Sequence, residues 1–210
     1  MPAPLRFKPQ YFWATTVAGP LNKTAQANIT HIESAHPLGR LKLESHLTVS
    51  DATNADTAYL SHQATCVMKV VPNGLGPMTV TAIFRPVLTV VSGTITDEVG
   101  FSGVNVNWMV KPICWMFDGT NMKQLTQVAP AIWRQHTEFI ANTHAWGPIR
   151  WPAGAMASAI WTYTGILPPE KPFHLYVGIE CIHQAFANDV SIVSDADAEF
   201  HLDTVLVQLS

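Results

Sequence analysis

Nine histidines carry most of the chemistry this chain has to offer: His31, His36, His46, His62, His136, His144, His174, His183 and His201. No HExxH or HxH spacing occurs among them, so no single element presents a ready zinc site. A metal would need histidines brought together from neighbouring strands, with a carboxylate such as Glu180, as in a cupin-like enzyme. His174 and His183 lie nine residues apart, on opposite faces of a regular strand. His46, His174 and His201 each fall on the more polar side of their strands, which reads as solvent-facing or hydrogen-bonded imidazoles. The acidic cluster Asp195, Asp197, Glu199 and Asp203 is the other concentration of ligand atoms. Asp197, Glu199 and Asp203 share one face of an alternating strand. They are weak candidates to hold calcium through hard oxygen atoms, or they guard a solvated strand against stray pairing.

Nucleophiles are no better provided for. There is no GxSxG, P-loop or dinucleotide fingerprint. His136 and Glu138 flank Thr137, which hydrogen bonding or capping explains as well as acid–base work. Cys66, Cys114 and Cys181 sit in apolar runs without a CxxC, as small core hydrophobes do. The expectation is a protein without catalytic activity and without a cofactor, calcium being the one candidate ion.

Strands must position whatever these residues do. Phe173 to Gln184 alternates cleanly, with Phe173, Leu175, Val177, Ile179 and Cys181 on one side and His174, Tyr176, Gly178, Glu180 and Ile182 on the other. Arg40 to Ser50 alternates as well, with Leu41, Leu43, Leu47 and Val49 inward. Tyr59 to Val71, Met78 to Val91 with Pro86 as a break, Val104 to Phe117 and Glu199 to Leu209 read as further strands. Pro72-Asn73-Gly74 and Asp118-Gly119 are turn signals. Met122 to Ala141 has apolar residues at helical spacing, divided by Pro130, and predicts one short helical insert. No βαβ alternation and no fixed-period repeat is visible. The fold expected is all-β, a jelly-roll or other Greek-key β-sandwich of about 8–10 strands. Residues 1–20 read as an N-terminal arm and residues 21–210 as a single sandwich domain.

Composition narrows the partners. The chain of 210 residues is 48% apolar and 13% charged, against about 25% charged in ordinary soluble domains. A surface so poor in charge is weakly protected against self-association. With a net charge of −3 and only Arg6 and Lys8 in the first dozen residues, at most a weak contact with nucleic acid is expected. No run of eighteen apolar residues suggests a membrane span. Aromatic side chains crowd the arm, at Tyr11, Phe12 and Trp13, and the loop-rich stretch holding Trp146, Trp151 and Trp161. These six are the expected interface residues, buried only in an oligomer. A tryptophan platform on a sandwich is also how modules hold sugars.

Arm, alternating strands and the Pro/Trp-rich loop region at Trp146 to Pro169 together form a layout that resembles the coat proteins of small icosahedral viruses. The resemblance covers most of the chain as a layout and includes no specific motif. It implies a jelly roll that self-associates into a homo-oligomer or shell, with or without other coat subunits, and a place in the virion. The arm departs from many such proteins in lacking an Arg/Lys-rich run, as near-neutral arms in the tymovirus group also do. A lectin-like, extracellular carbohydrate-binding module with bound calcium is the alternative, and a cupin-like metal enzyme the second alternative.

Overall fold

Period-two burial is the rule that builds this molecule. In the computed structural model, β4 (Arg40–Val49) buries every second residue, from Leu41 to Val49, and leaves Arg40, Lys42, Glu44, His46 and Thr48 on the other face. The structure describes residues 5–7, 11–20, 25–35, 39–49, 56–72, 76–97, 103–129, 133–140, 145–150, 157–168, 170–188 and 190–209, with side chains in 39–49, 58–72, 76–94, 105–128, 158–168, 170–187 and 191–209.

Among the described residues fourteen strands make two antiparallel sheets. Sheet A holds β3 (Ala25–Ala35), β4, β14 (Val190–Leu209), β6 (Met78–Asp97), β12 (Ala157–Tyr163) and β9 (Thr126–Ala129), in that order. β1 (Leu5–Phe7) pairs with the end of β14, and β11 (Ala145–Arg150) pairs with β6. Sheet B runs β10 (Trp133–Ile140), β7 (Gly103–Phe117), β13 (Phe173–Asn188), β5 (Asp56–Val70) and β2 (Tyr11–Pro20), with β8 (Met122–Gln124) on β7. Eight consecutive members of the two sheets, with β2 and β3 flanking them outside, are β4, β5, β6, β7, β10, β12, β13 and β14. Numbered one to eight, they lie 1-8-3-6 in one sheet and 5-4-7-2 in the other. That is the strand order of a jelly roll, in which the chain crosses between layers at nearly every connection.

The core lies between the layers. Sheet A contributes Leu41, Leu43, Leu47, Phe84, Trp161 and Phe200, and sheet B contributes Leu60, Met68, Trp108, Met116, Leu175 and Ile179, all at most 1% exposed. Pro86 does not end its strand. It faces inward, and the irregularity in pairing with β14 falls beside it, between Glu199 and Phe200, so β6 absorbs the missing donor as a bulge. At Gly178 in the middle of β13 a Cβ would collide with the Ala64 carbonyl, so the close approach of β5 requires glycine.

The helical insert expected over Met122 to Ala141 is not present. No helix occurs among the described residues, and this stretch supplies β8, β9 and β10 instead. The reason is tertiary. Trp133 to Ile140 pairs residue by residue with β7, from Trp133 opposite Val110 to Ile140 opposite Gly103. Ladder pairing along a sheet edge outweighs a weak helical stripe that Pro130 already interrupts. The stretch read as an arm supplies β1 and β2, whose backbones join sheets A and B.

Candidate functional site

Three places in the sandwich concentrate polar or exposed chemistry, and each follows from strand phase. The first is inside. His183 sits on the inward face of β13 and is 0% exposed. Its Nδ1 meets Ser45 Oγ of β4 at 2.9 Å, and its Nε2 meets Ser194 Oγ of β14 at 2.8 Å. One imidazole thus bridges sheet B to two strands of sheet A. Ser194 Oγ donates onward to the Ser92 carbonyl at 3.3 Å. The proton positions follow by assignment. Ser194 has spent its hydrogen, so Nε2–H donates to it, and Ser45 O–H donates to Nδ1. Nearby on β5, His62 is 1% exposed, and neither of its ring nitrogens has a hydrogen-bond partner. Burial holds the His62 imidazole down to about 4, Glu180 opposing weakly, and holds His183 down to about 3 with help from His62 and His46.

Cys181 and Cys66 share this inward face, and Trp108 Nε1 donates to Cys181 Sγ at 3.2 Å. Burial pushes both thiols up to about 12, so neither is a nucleophile near neutrality. All three cysteines are free. Among the described residues no three His, Cys, Asp or Glu side chains gather as a metal site.

The second place is the outward face of sheet A, where β14 turns its acidic residues. Asp197, Glu199 and Asp203 do stand on this face. Glu199 takes a two-pronged contact from Arg40, at 2.8 Å and 3.1 Å. Asp203 pairs with Arg85 at 3.3 Å, while Lys42 contacts Glu44. Glu199 and Asp203 are held by cross-strand arginines and Glu44 by a lysine on its own strand, so these carboxylates are not turned toward one cation. His46 lies between Asp195, at 2.7 Å from Nδ1, and Thr48 Oγ1, at 3.0 Å from Nε2. This is the order of groups that activates a hydroxyl in hydrolases. Here it lies on an open strand face. The amides of β4 are engaged by β3 on one side and β14 on the other, so none is aimed at a reacting oxygen. Glu44 and Asp197, on the same face, would repel an oxyanion. The relay is a surface hydrogen-bond chain.

The third place is one end of the sandwich, where the connections β5–β6, β7–β10 and β12–β13 meet. The Glu170 N–H reaches across to the Pro72 carbonyl at 2.9 Å, with Glu170 in the left-handed region at φ 63°. Asp118 Oδ1 accepts the Thr120 and Asn121 amides at 2.9 Å and 2.8 Å, which holds its carboxyl below the usual range. Lys123 Nζ stands 5.8 Å from the Tyr163 ring centre. Between these loops is a cavity of about 230 Å³ lined by Met116, Lys123, Tyr163, Ile166, Lys171 and Phe173, among others. Five large apolar residues are strongly exposed among the described ones. Four fall in these connections along the chain: Val71 at 50% and Ile166 at 79% outside the strands, Met122 at 43% in β8 of sheet B and Val128 at 59% in β9 of sheet A.

Of the six residues expected at an interface, only Trp161 has a described side chain. It is 1% exposed in the single chain, so its indole belongs to the sandwich core rather than to a neighbour. Opposite Val80 and Gln127 on a strand between two others, it occupies a sheet position where the sequence predicts a loop tryptophan buried only in an oligomer. The backbones of Tyr11, Phe12 and Trp13 lie in β2, and that of Trp146 in β11, but their side chains, like all of Trp151, fall outside the described residues. Sequence reasoning weighed His62 and His183 only among the nine histidines, without placing them inside the sandwich, and missed Ser45 and Ser194. The signal was available: each is a polar residue in the phase of an apolar series, as in Leu41, Leu43, Ser45, Leu47, Val49.

No protein-family model and no curated protein matches the chain. A solved structure described as "CBM4 structure and function" is similar over 80% of this chain and 78% of that one, at 8% identity and a TM-score of 0.23. At that level the strand order, not the neighbour, defines the chain as a jelly-roll sandwich.

Proposed function

We propose that this chain is a structural subunit that self-associates into a closed shell, the role of a viral coat protein, with no catalytic activity of its own. The observation that carries the reading is the exposure of Val71, Met122, Val128 and Ile166 in the connections β5–β6, β7–β10 and β12–β13. Single exposed hydrophobics are ordinary, whereas four in successive connections, Val71 and Ile166 between strands, Met122 in β8 and Val128 in β9, favour a surface to be covered. With 13% charged residues the chain has little to keep copies apart. A second copy is the occupant this composition favours, because closed assemblies are built from repeated contacts of low charge. Such a subunit would reside in the particle it builds.

Ile166→Asp and Val128→Asp test this reading. Both positions are solvent-facing in the single chain, so the variants should fold. Light-scattering mass is expected to fall from assembly to monomer in each, while Thr79→Asp on an outward strand face leaves it unchanged. Assemblies indifferent to both loop substitutions would contradict the proposed contact.

A second reading, carbohydrate binding, has one observation of its own. Trp115 and Tyr176 are cross-strand neighbours on the outward face of sheet B, both half-buried. Adjacent aromatic faces of this kind stack on sugar rings. Glycan-array binding lost in Trp115→Ala would favour it.

A further inference from the structure

Neither reading uses the polar seam inside the sandwich. We propose that His62 and His183 form an acid-sensitive latch between the two sheets, such that proton uptake by these buried rings opens the sandwich on acidification. The inference holds whether or not the chain assembles.

The geometry gives the latch its position. His183 is the hub where β13 of one sheet is tied to β4 and β14 of the other through Ser45 and Ser194. Its surroundings are otherwise apolar. Leu43 and Leu47 flank Ser45, Ile192 and Ala196 flank Ser194, and Cys181 and Ala185 flank His183, none more than 3% exposed. His62 projects into the same interlayer space from β5, opposite Cys181 in the register, with no acceptor for either nitrogen. A proton on either ring places a cation in this box with no carboxylate facing it.

The charged groups on the surrounding strands stand outside. On sheet A these are Glu44 and His46 of β4 and Asp195 and Asp197 of β14, on the outward face. On sheet B they are Glu180 of β13 and Lys111 of β7, paired with each other at 2.7 Å. The thiols of Cys66 and Cys181 are neutral near pH 7, and β6 offers the Ser92 carbonyl, which Ser194 already occupies. Glu180 favours a charged His62, but burial outweighs it, and His46 and His62 both disfavour a charged His183.

The direction in pH follows from linkage. Both folded-state values are depressed, to about 4 for His62 and about 3 for His183. The unfolded chain binds protons at an ordinary histidine value of about 6.5. Above that value neither state is protonated and the latch has no effect. As pH falls below it the unfolded chain gains two protons that the folded chain refuses, so stability is lost down to pH 4 and below. Each proton lowers the folding constant tenfold per pH unit.

The test uses urea unfolding of the full chain between pH 8 and pH 4, comparing wild type with the double variant His62→Met, His183→Gln. Met is apolar, and Gln can still meet both serine hydroxyls, while neither titrates. Relative to the double variant, the wild-type folding constant is expected to fall about 100-fold per pH unit below pH 6. Parallel pH profiles would overturn the proposal. Should the double variant fail to fold, deuterium exchange at the histidine Cε1, read on wild-type peptides by mass spectrometry, decides the matter. His62 and His183 are expected to show no inflection above pH 5, and an inflection near 6.5 in either would refute the latch.

Discussion

The hydrogen bond between Ser45 and His183 should reveal itself as strong coupling between two substitutions that are each costly alone. Ser45→Ala leaves His183 Nδ1 without its donor, and the ring is 0% exposed. An unsatisfied buried group of this kind costs about 1–3 kcal/mol. His183→Leu orphans the Ser45 hydroxyl, which is 2% exposed, at a similar cost of about 1–3 kcal/mol. Ser194 suffers less, because it keeps the Ser92 carbonyl. In the double variant both partners are gone, and two apolar side chains face each other in an apolar box. The double should therefore be more stable than the sum of the singles by about 1–3 kcal/mol, and close to the milder single in absolute terms. The assay is equilibrium urea denaturation at pH 8, where the imidazole is neutral in both states, followed by fluorescence of the buried Trp108 and Trp161. Additivity within about 0.5 kcal/mol would refute the reasoning, since it is what distant, independent sites show.

Further outcomes are expected elsewhere in the fold. Trp161→Ala should destabilise the single chain by about 3–5 kcal/mol in denaturant melts, as a core indole does; a mild effect would put Trp161 back at an interface. Gly178→Ala should lower the urea midpoint by more than Gly119→Ala, because its Cβ meets the Ala64 carbonyl, whereas a Cβ at Gly119 meets nothing within 4 Å and costs only the backbone strain of its φ of 95°. Arg40→Ala should cost only about 0–1 kcal/mol, the range of solvent-accessible ion pairs, and less still at high salt. Millimolar calcium should leave the melting temperature unchanged, because Glu199 and Asp203 are engaged by arginines; a calcium-dependent rise would revive the acidic face as a metal site.

The sandwich was legible wherever one face of a strand is wet. Leu41 to Val49 and Phe173 to Cys181 alternate because every second side chain must leave water, and the structure buries the same ones. The stretch after Asp118 was not legible. Leu125, Val128 and Ile132 fit a helical stripe, and only the partner strand β7, remote in sequence, makes residues 133–140 a strand. Trp161 misled for a related reason. Prolines and glycines around it suggested a loop, and its burial depends on β6 and β9 lying on either side. The histidine latch was hidden by emphasis on residues that fit the pattern. Ser45, His62, His183 and Ser194 break it, and such breaks in an otherwise apolar phase are where a buried polar network has to be sought.

The self-association of the chain is tested most directly by its mass in solution, measured by light scattering after size-exclusion chromatography and checked by negative-stain microscopy. Large, uniform, closed particles are the result expected of a shell subunit. A monodisperse monomer at high concentration in several buffers would contradict that account and leave the aromatic face of sheet B as the surface to pursue.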